Sequence, residues 1–129
     1  MEDGSGGLRL NELAQVALTV IDLEESKVFY RDVLGMQFLF DAGTMAFFQC
    51  GTVRVMIGTG ERTRPGGGTI LYFRVSDIEH AHNVLRSRGV EFTEPPHLVA
   101  RMKSHDLWLA DLKDPSGNLL ALMDEKARS

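Results

Sequence analysis

The sequence has little of what a disulfide-bonded, membrane-spanning or secreted protein needs. Its one cysteine, Cys50, cannot form an internal disulfide, which fits a reducing compartment. No apolar run approaches the ~20 residues that cross a bilayer. The first dozen residues carry acids and glycines in place of a basic start and an apolar stretch. These absences predict a cytoplasmic protein without a membrane partner.

Positive charge is also scarce and is not clustered. The 14 Lys and Arg residues are outnumbered by 18 Asp and Glu residues, which gives a net charge of −4 at pH 7. Nucleic acid and anionic membranes attract basic surfaces, so neither is an expected partner. The 43% hydrophobic and 25% charged residues are typical of a globular chain, and 129 residues suit one domain.

The sequence contains two copies of one pattern. The two copies, Ala14–Gly35 and Thr69–Gly89, lie 55 residues apart. Each begins with alternating apolar and polar side chains, which is typical of a strand. An aspartate in an N-cap position, Asp22 or Asp77, then opens a helical pattern that ends at a glycine. Two such units would share a core, and a pocket would be expected at their junction.

Short strand-like runs follow both predicted helices. They are Met36–Asp41, Thr44–Cys50 and Val53–Ile57 in the first copy, and Val90–Thr93, His97–Met102, Asp106–Leu112 and Leu119–Met123 in the second. We therefore predict a flexible arm (1–12), a single domain (13–125) and a tail (126–129). The domain divides into module one (13–58), a glycine-rich linker (59–68) that matches no phosphate-binding motif, and module two (69–125).

Two motifs in this order resemble the vicinal oxygen chelate superfamily, which includes glyoxalase I, bleomycin-resistance proteins, extradiol dioxygenases and methylmalonyl-CoA epimerase. The first is Val20–Gly35, which opens module one, and the second is Asp114–Leu120, the closing turn and strand. The resemblance covers about Leu13 to Asp124. It implies an α+β fold of two βαβββ modules that form an open barrel-like cup, usually completed in a homodimer.

The resemblance also locates the superfamily's metal ligands, one on the first and one on the last strand of each module. They correspond here to Gln15, Met56, Ile70 and Ala121, with Val55 in place of Met56 if the strand is shifted by one residue. Only the glutamine could bind a hard cation, whereas a catalytic divalent ion needs about three protein ligands. We therefore predict no metal at these positions, against the metal-dependent chemistry for which the fold is known.

Two histidines leave a displaced site open. His97 and His105 bracket a hairpin-like segment and could face each other across its two strands. They could hold a divalent metal with Asp106 as a third ligand, or act as acid or base without a metal. Against the metal, Asp106 is next to His105 on a strand and would point to the opposite face.

Strand alternation places a further set of polar side chains in the predicted cup. A guanidinium facing an apolar cup needs an anionic or carbonyl partner, supplied either by the protein or by a ligand. The predicted ligand contacts are Gln15, Arg54, Tyr72 and Arg74, with Trp108 as a pocket wall.

Three interpretations follow from this set. The first is a small-molecule-binding homodimer that lacks the usual metal, similar to bleomycin-resistance proteins. The second is a glyoxalase-like lyase, epimerase or dioxygenase that uses either the displaced metal or metal-free acid–base chemistry. The third is that the cup serves only as a dimer interface.

Overall fold

The computed structural model describes residues 7–60 and 64–128, so parts of the predicted arm, linker and tail lie outside it. The strands are β1 (Gln15–Thr19), β2 (Gln37–Ala42), β3 (Met45–Cys50), β4 (Val53–Gly58), β5 (Ile70–Arg74), β6 (Phe92–Arg101), β7 (His105–Lys113) and β8 (Leu119–Ala127). The helices are α1 (Leu23–Val28), which continues as a π-helical segment (Phe29–Val33), and α2 (Ile78–Ser87).

Each module forms its own four-stranded sheet with the same topology. The strand order is β1-β4-β3-β2 in the first sheet and β5-β8-β7-β6 in the second. In both, the first strand runs parallel to the last, and the other pairs are antiparallel. The sheets do not close into a barrel. The predicted fold of two βαβββ modules forming an open cup is therefore confirmed.

Both helices begin where the capping pattern predicts. The Asp22 carboxylate accepts the backbone N–H of Glu25 at 3.0 Å, and the Asp77 carboxylate accepts that of His80 at 3.1 Å. Each cap satisfies a backbone donor that the first helical turn leaves without a partner. The glycines that follow the two helices have φ values of +79° and +92°, a conformation that other residues rarely adopt.

The helices cover one face of each sheet and leave the other open. A single hydrophobic core joins the covered faces, and its fully buried members include Phe48 and Ile57 of module one and Ile78, Leu112 and Leu120 of module two. We call the opposite, helix-free face of each sheet its cup face. Because side chains alternate along a strand, every second residue of β1, β4, β5 and β8 lies on a cup face.

A buried polar cluster joins the two modules at the turn before β8. The Tyr30 hydroxyl of module one donates to the Asp114 carboxylate at 2.8 Å, and the Asn118 amide donates to the Thr19 carbonyl at 2.8 Å. Burial, and after it the nearby Asp114, raises the pKa of Tyr30, which keeps the phenol a neutral donor. The closing turn is thus also the connection between the modules.

Two predicted boundaries differ from the structure. The runs predicted on either side of Pro95 belong to one strand, β6, whose register against β7 shifts at three points. The middle shift, between Glu94 and His97, spans Pro95 and Pro96, which cannot donate to a regular ladder. At the other end, β8 continues through Ala127, so the predicted tail begins inside a strand.

No helix in the described part of the chain is long and apolar enough to cross a membrane.

Candidate functional site on the cup faces

Three rows of side chains cross the cup face of module one. From β1 through β4 to β3, the strand register aligns Gln15 with Arg54 and Gln49, Ala17 with Met56 and Phe47, and Thr19 with Gly58 and Met45. The first row is polar and the second apolar. The face therefore has a polar end next to an apolar floor, an arrangement typical of small-ligand sites.

The Arg54 guanidinium is held in place from two sides. Its Nε donates to the Gln15 side-chain oxygen at 2.7 Å, and its central carbon lies 5.5 Å from the centre of the Phe47 ring. Phe47 in turn stacks on Phe40, with ring centres 4.6 Å apart and planes 19° from parallel. Within residues 7–60 and 64–128, Arg54 forms no ion pair.

A trough of about 380 Å³ lies over the second and third rows. Its walls are Gln15, Ala17, Leu18, Thr19, Thr44, Met45, Met56, Gly58 and Gly60. Met45 packs closely over Gly58, because a Cβ there would lie 3.2 Å from the Met45 side chain. Methionines next to an open trough can adapt to ligands of different shapes.

The cup face of module two differs mainly in its charges. Arg74 forms an ion pair with Glu125 of β8, and this hydrogen bond lowers the pKa of Glu125. Arg74 thus has an acid of the protein as its partner, one of the two alternatives left open by the sequence. Tyr72 occupies the middle row of this face, where the register aligns it with Ala121 and Asp111.

The strand register decides which residues occupy the superfamily's metal positions. In module one Met56 pairs with Ala17, two residues after Gln15, and in module two Ala121 pairs with Tyr72, two residues after Ile70. Met56 and Ala121 are therefore structurally equivalent. Val55 is 3% exposed in the core, so the shifted alternative is wrong. The thioether of Met56, the sec-butyl group of Ile70 and the methyl group of Ala121 add no oxygen or nitrogen ligand to Gln15, so these residues do not fit the metal.

The two histidines do not face each other across the hairpin. His97 pairs with Leu109 on β7, and His105, four residues earlier on that strand, pairs with Ala127 of β8. At about 3.3 Å per residue, the two backbone positions lie roughly 13 Å apart. His97 Nδ1 is 2.7 Å from the Pro95 carbonyl, and His105 Nδ1 is 2.7 Å from the Ser104 hydroxyl. Across the described residues, no three His, Cys, Asp or Glu side chains form a metal-binding group.

Trp108 lies on the opposite side of the sheet from the other predicted contacts. It pairs with Asp124 and packs against the core, and the Lys126 ammonium is 5.4 Å from its ring centre. The four remaining candidates, Gln15, Arg54, Tyr72 and Arg74, do lie on the cup faces. The closing turn pairs Lys113 with Leu119, and this pairing assigns Trp108 to the core face by simple alternation.

The same alternation identifies three cup residues that the sequence interpretation missed. They are Phe40, which completes the aromatic stack, Gln49, which flanks Arg54, and Asp111, which lies beside Tyr72 and Ala121. The signal for Asp111 was its even spacing from Lys113 and Leu109 on β7. No hydrogen bond or ion pair engages the half-buried Asp111 carboxylate in the described part of the chain.

A larger cavity of about 620 Å³ lies at the junction of the modules, where the duplication led us to expect a pocket. Its lining combines the end of the π-helical segment, the start of β2, the end of β3 and one side of α2. Apolar side chains such as Leu34, Phe73 and Val84 predominate, with His80 and the half-buried Cys50 at the wall. Neither this cavity nor the trough has an Asp, Glu, Lys or Arg in its lining, and what distinguishes the trough is the charged Arg54 in the neighbouring row.

Two βαβββ modules with an open cup define a class of protein, and comparison with known proteins specifies it. The family model described as Glyoxalase/Bleomycin resistance protein/Dioxygenase superfamily matches residues 12–122. The chain belongs to this superfamily.

Individual relatives share about a quarter or less of their residues with this chain. Uncharacterized protein YraH of Bacillus subtilis (strain 168) is 26% identical, over 86% of this chain and 96% of the relative. The solved structure of lactoylglutathione lyase from Agrobacterium tumefaciens superimposes with a TM-score of 0.76 at 18% identity, covering 90% of this chain and 95% of that one. A superfamily member from Sphaerobacter thermophilus DSM 20745 has a TM-score of 0.72 at 26% identity, covering 92% and 100%. The structural likeness to the lyase concerns the fold alone.

Proposed function

We propose that this chain is a small-molecule-binding member of its superfamily whose ligand lies on the cup face of module one, without the superfamily's metal. The observation that carries the proposal is the polar row next to the trough. Arg54 and Gln15 offer oriented hydrogen-bond donors, and the apolar floor beside them offers burial. The donor chemistry at Gln15, Met56, Ile70 and Ala121 supports binding without a metal.

The proposal includes a cytoplasmic homodimer without nucleic-acid or membrane partners. The support for these parts is the net charge of −4, the single cysteine, and the apolar side chains of β5 that remain exposed in the monomer. In a dimer, a second copy would cover the open cup and exclude water from the ligand. Burial by a second copy would strengthen every polar contact made there.

Blocking the trough tests the binding site. We expect small fragments to shift the backbone amide signals of β1 and β4 in proton–nitrogen correlation spectra. Ala17→Phe would fill the trough and weaken those fragments by at least about tenfold, or 1.4 kcal/mol. Val28→Phe adds the same ring to the exposed side of α1 and should leave the affinities unchanged. Equal binding by both variants, or shifts confined to the larger cavity, would place the site elsewhere.

Metal content is a separate prediction. Protein purified without chelators should contain far less than one divalent ion per chain by elemental analysis, because the four cup positions supply one suitable ligand. Added zinc or nickel should leave the thermal midpoint unchanged, whereas an ion present at 100 times its dissociation constant would stabilise the fold by about 2.7 kcal/mol. A stoichiometric ion that disappears in Gln15→Ala would contradict this prediction. Loss in His97→Ala would support the displaced site instead.

A further inference from the structure

The cup face of module one carries one positive charge that no described residue of the protein neutralises. Its three rows contain nine positions, and none of them is an acid. Arg54 is their sole cation, and no carboxylate lies within ion-pair distance of it among residues 7–60 and 64–128. Arg74, its counterpart on module two, has Glu125 as a partner. The uncompensated charge therefore distinguishes one cup face from the other.

The orientation of Gln15 follows from the chemistry of its neighbour. A guanidinium can only donate hydrogen bonds, so the side-chain oxygen of Gln15 must face Arg54 Nε. The Gln15 amide nitrogen then points away from Arg54 with its own donors. The outer nitrogens of Arg54 form no hydrogen bond with the described residues. Gln15 and Arg54 thus present side-chain donors that no acceptor among the described residues engages.

The contacts that hold Arg54 orient its guanidinium towards a ligand. Gln15 accepts the Nε–H, and the Phe47 ring lies under the guanidinium, with its centre 5.5 Å from the central carbon of Arg54. This cation–π contact and the tethered Nε reduce the rotamer freedom that a bound partner would otherwise have to remove. The two terminal nitrogens remain, and their parallel N–H groups match the two oxygens of a carboxylate.

The surroundings define the rest of the ligand. One positive charge matches a monoanion, whereas a phosphate dianion would call for a second cation in the rows. Next to the charge lie the Met56 and Ala17 side chains and the stack of Phe47 and Phe40. Methionine and aromatic side chains pack favourably against flat rings. A carboxylate on a flat, largely apolar body would satisfy the donors and cover the floor together.

We infer that the ligand of this site is an aromatic monocarboxylate, with its carboxylate on Arg54 and Gln15 and its ring over Ala17 and Met56. The inference rests on the proposed function, since it assigns a ligand class to the same trough. It makes Arg54 the residue that discriminates anionic from neutral ligands. The remainder of the trough contributes affinity without charge selectivity.

A matched pair of probes tests the ligand class. The carboxylate 2-naphthoate and its neutral amide, 2-naphthamide, differ in charge and share a ring. We expect wild-type protein to bind 2-naphthoate at least about tenfold more tightly in a titration followed by proton–nitrogen correlation spectra. Arg54→Gln should reduce the affinity for the carboxylate to that for the amide. Arg86→Gln, which removes the same charge from the exposed side of α2, should retain the preference.

The outcomes separate the two hypotheses. If both probes bind equally in the wild type and Ala17→Phe weakens both, the trough is a binding site and the carboxylate inference is wrong. If Arg54→Gln retains the carboxylate preference, the inference is also overturned. If neither probe shifts signals of β1 or β4, both the inferred ligand class and the proposed binding site are refuted. A preference lost equally in Arg86→Gln would reflect overall charge and would overturn the role of Arg54.

Discussion

Replacing Asp114 by alanine is expected to lower the free energy of unfolding by about 3–5 kcal/mol, because it leaves several buried donors without an acceptor. The carboxylate is 4% exposed. It accepts from the Tyr30 hydroxyl at 2.8 Å, the Ser116 backbone N–H at 2.8 Å, and the Asn118 backbone and side chain at 2.8 and 2.9 Å. Urea unfolding followed by circular dichroism measures the effect.

Two variants show whether the loss comes from the cluster. Tyr30→Phe removes one donor and leaves the other three bonds, so it should cost only about 1–2 kcal/mol. Because both residues share one hydrogen bond, the double variant should lose less than the sum of the two. Asp32→Ala, which breaks an exposed ion pair with Arg31, should cost at most about 1 kcal/mol. If Asp114→Ala is no more harmful than Asp32→Ala, the cluster does not connect the modules.

The second large effect concerns assembly. Ile70→Lys is expected to weaken the proposed homodimer by at least about 100-fold, or 2.8 kcal/mol. Ile70 and Tyr72 lie on the cup face of β5 and are 39% and 50% exposed. In the part of the chain that the structure describes, β5 pairs with β8 alone, so its other edge is open. Exposed apolar side chains on an open edge mark an interaction surface, and a lysine there opposes pairing.

Sedimentation equilibrium checks this expectation. The wild type should have twice the 14.3 kDa mass of the chain, and Ile70→Lys should shift towards the single mass at the same concentration. Val28→Lys places the same charge on a residue of α1 that is 47% exposed and should remain dimeric. Thermal unfolding distinguishes dissociation from misfolding. A wild-type protein that sediments as a monomer would refute the dimer, as would an Ile70→Lys variant with unchanged mass.

The sequence predicted the features that depend on local chemistry. Asp22 and Asp77 cap helices because their carboxylates reach a backbone N–H three residues away, and neighbours that close in the chain are visible in a sequence. The copy of this pattern 55 residues later indicated two equivalent modules. The superfamily resemblance then predicted how these modules are arranged in the fold. The same resemblance showed that Ile70 and Ala121 offer no metal ligand, since that depends only on side-chain type.

The sequence predicted less well how strands that are distant in the chain pair with each other. Trp108 was predicted in the cup and lies against the core, because a displacement of one residue exchanges the faces of a strand. His97 and His105 could have faced each other, but the hairpin turn pairs Arg101 with Asp106 and so places His97 opposite Leu109, four residues from His105. Register depends on bulges and turn lengths that are settled by packing across the whole sheet.

The sequence alone determined the α+β class and the two similar βαβββ modules, and it specified the side-chain types at the positions that the resemblance assigns to a metal, because side-chain chemistry and local periodicity require no knowledge of distant contacts. Only the tertiary structure decided which of the two arginines, Arg54 or Arg74, has an acidic partner among the described residues. Arg74 meets Glu125 across the second sheet, and Arg54 meets the neutral Gln15 across the first. Those partners lie 51 and 39 residues away in the chain, and parallel strand pairing brings them together.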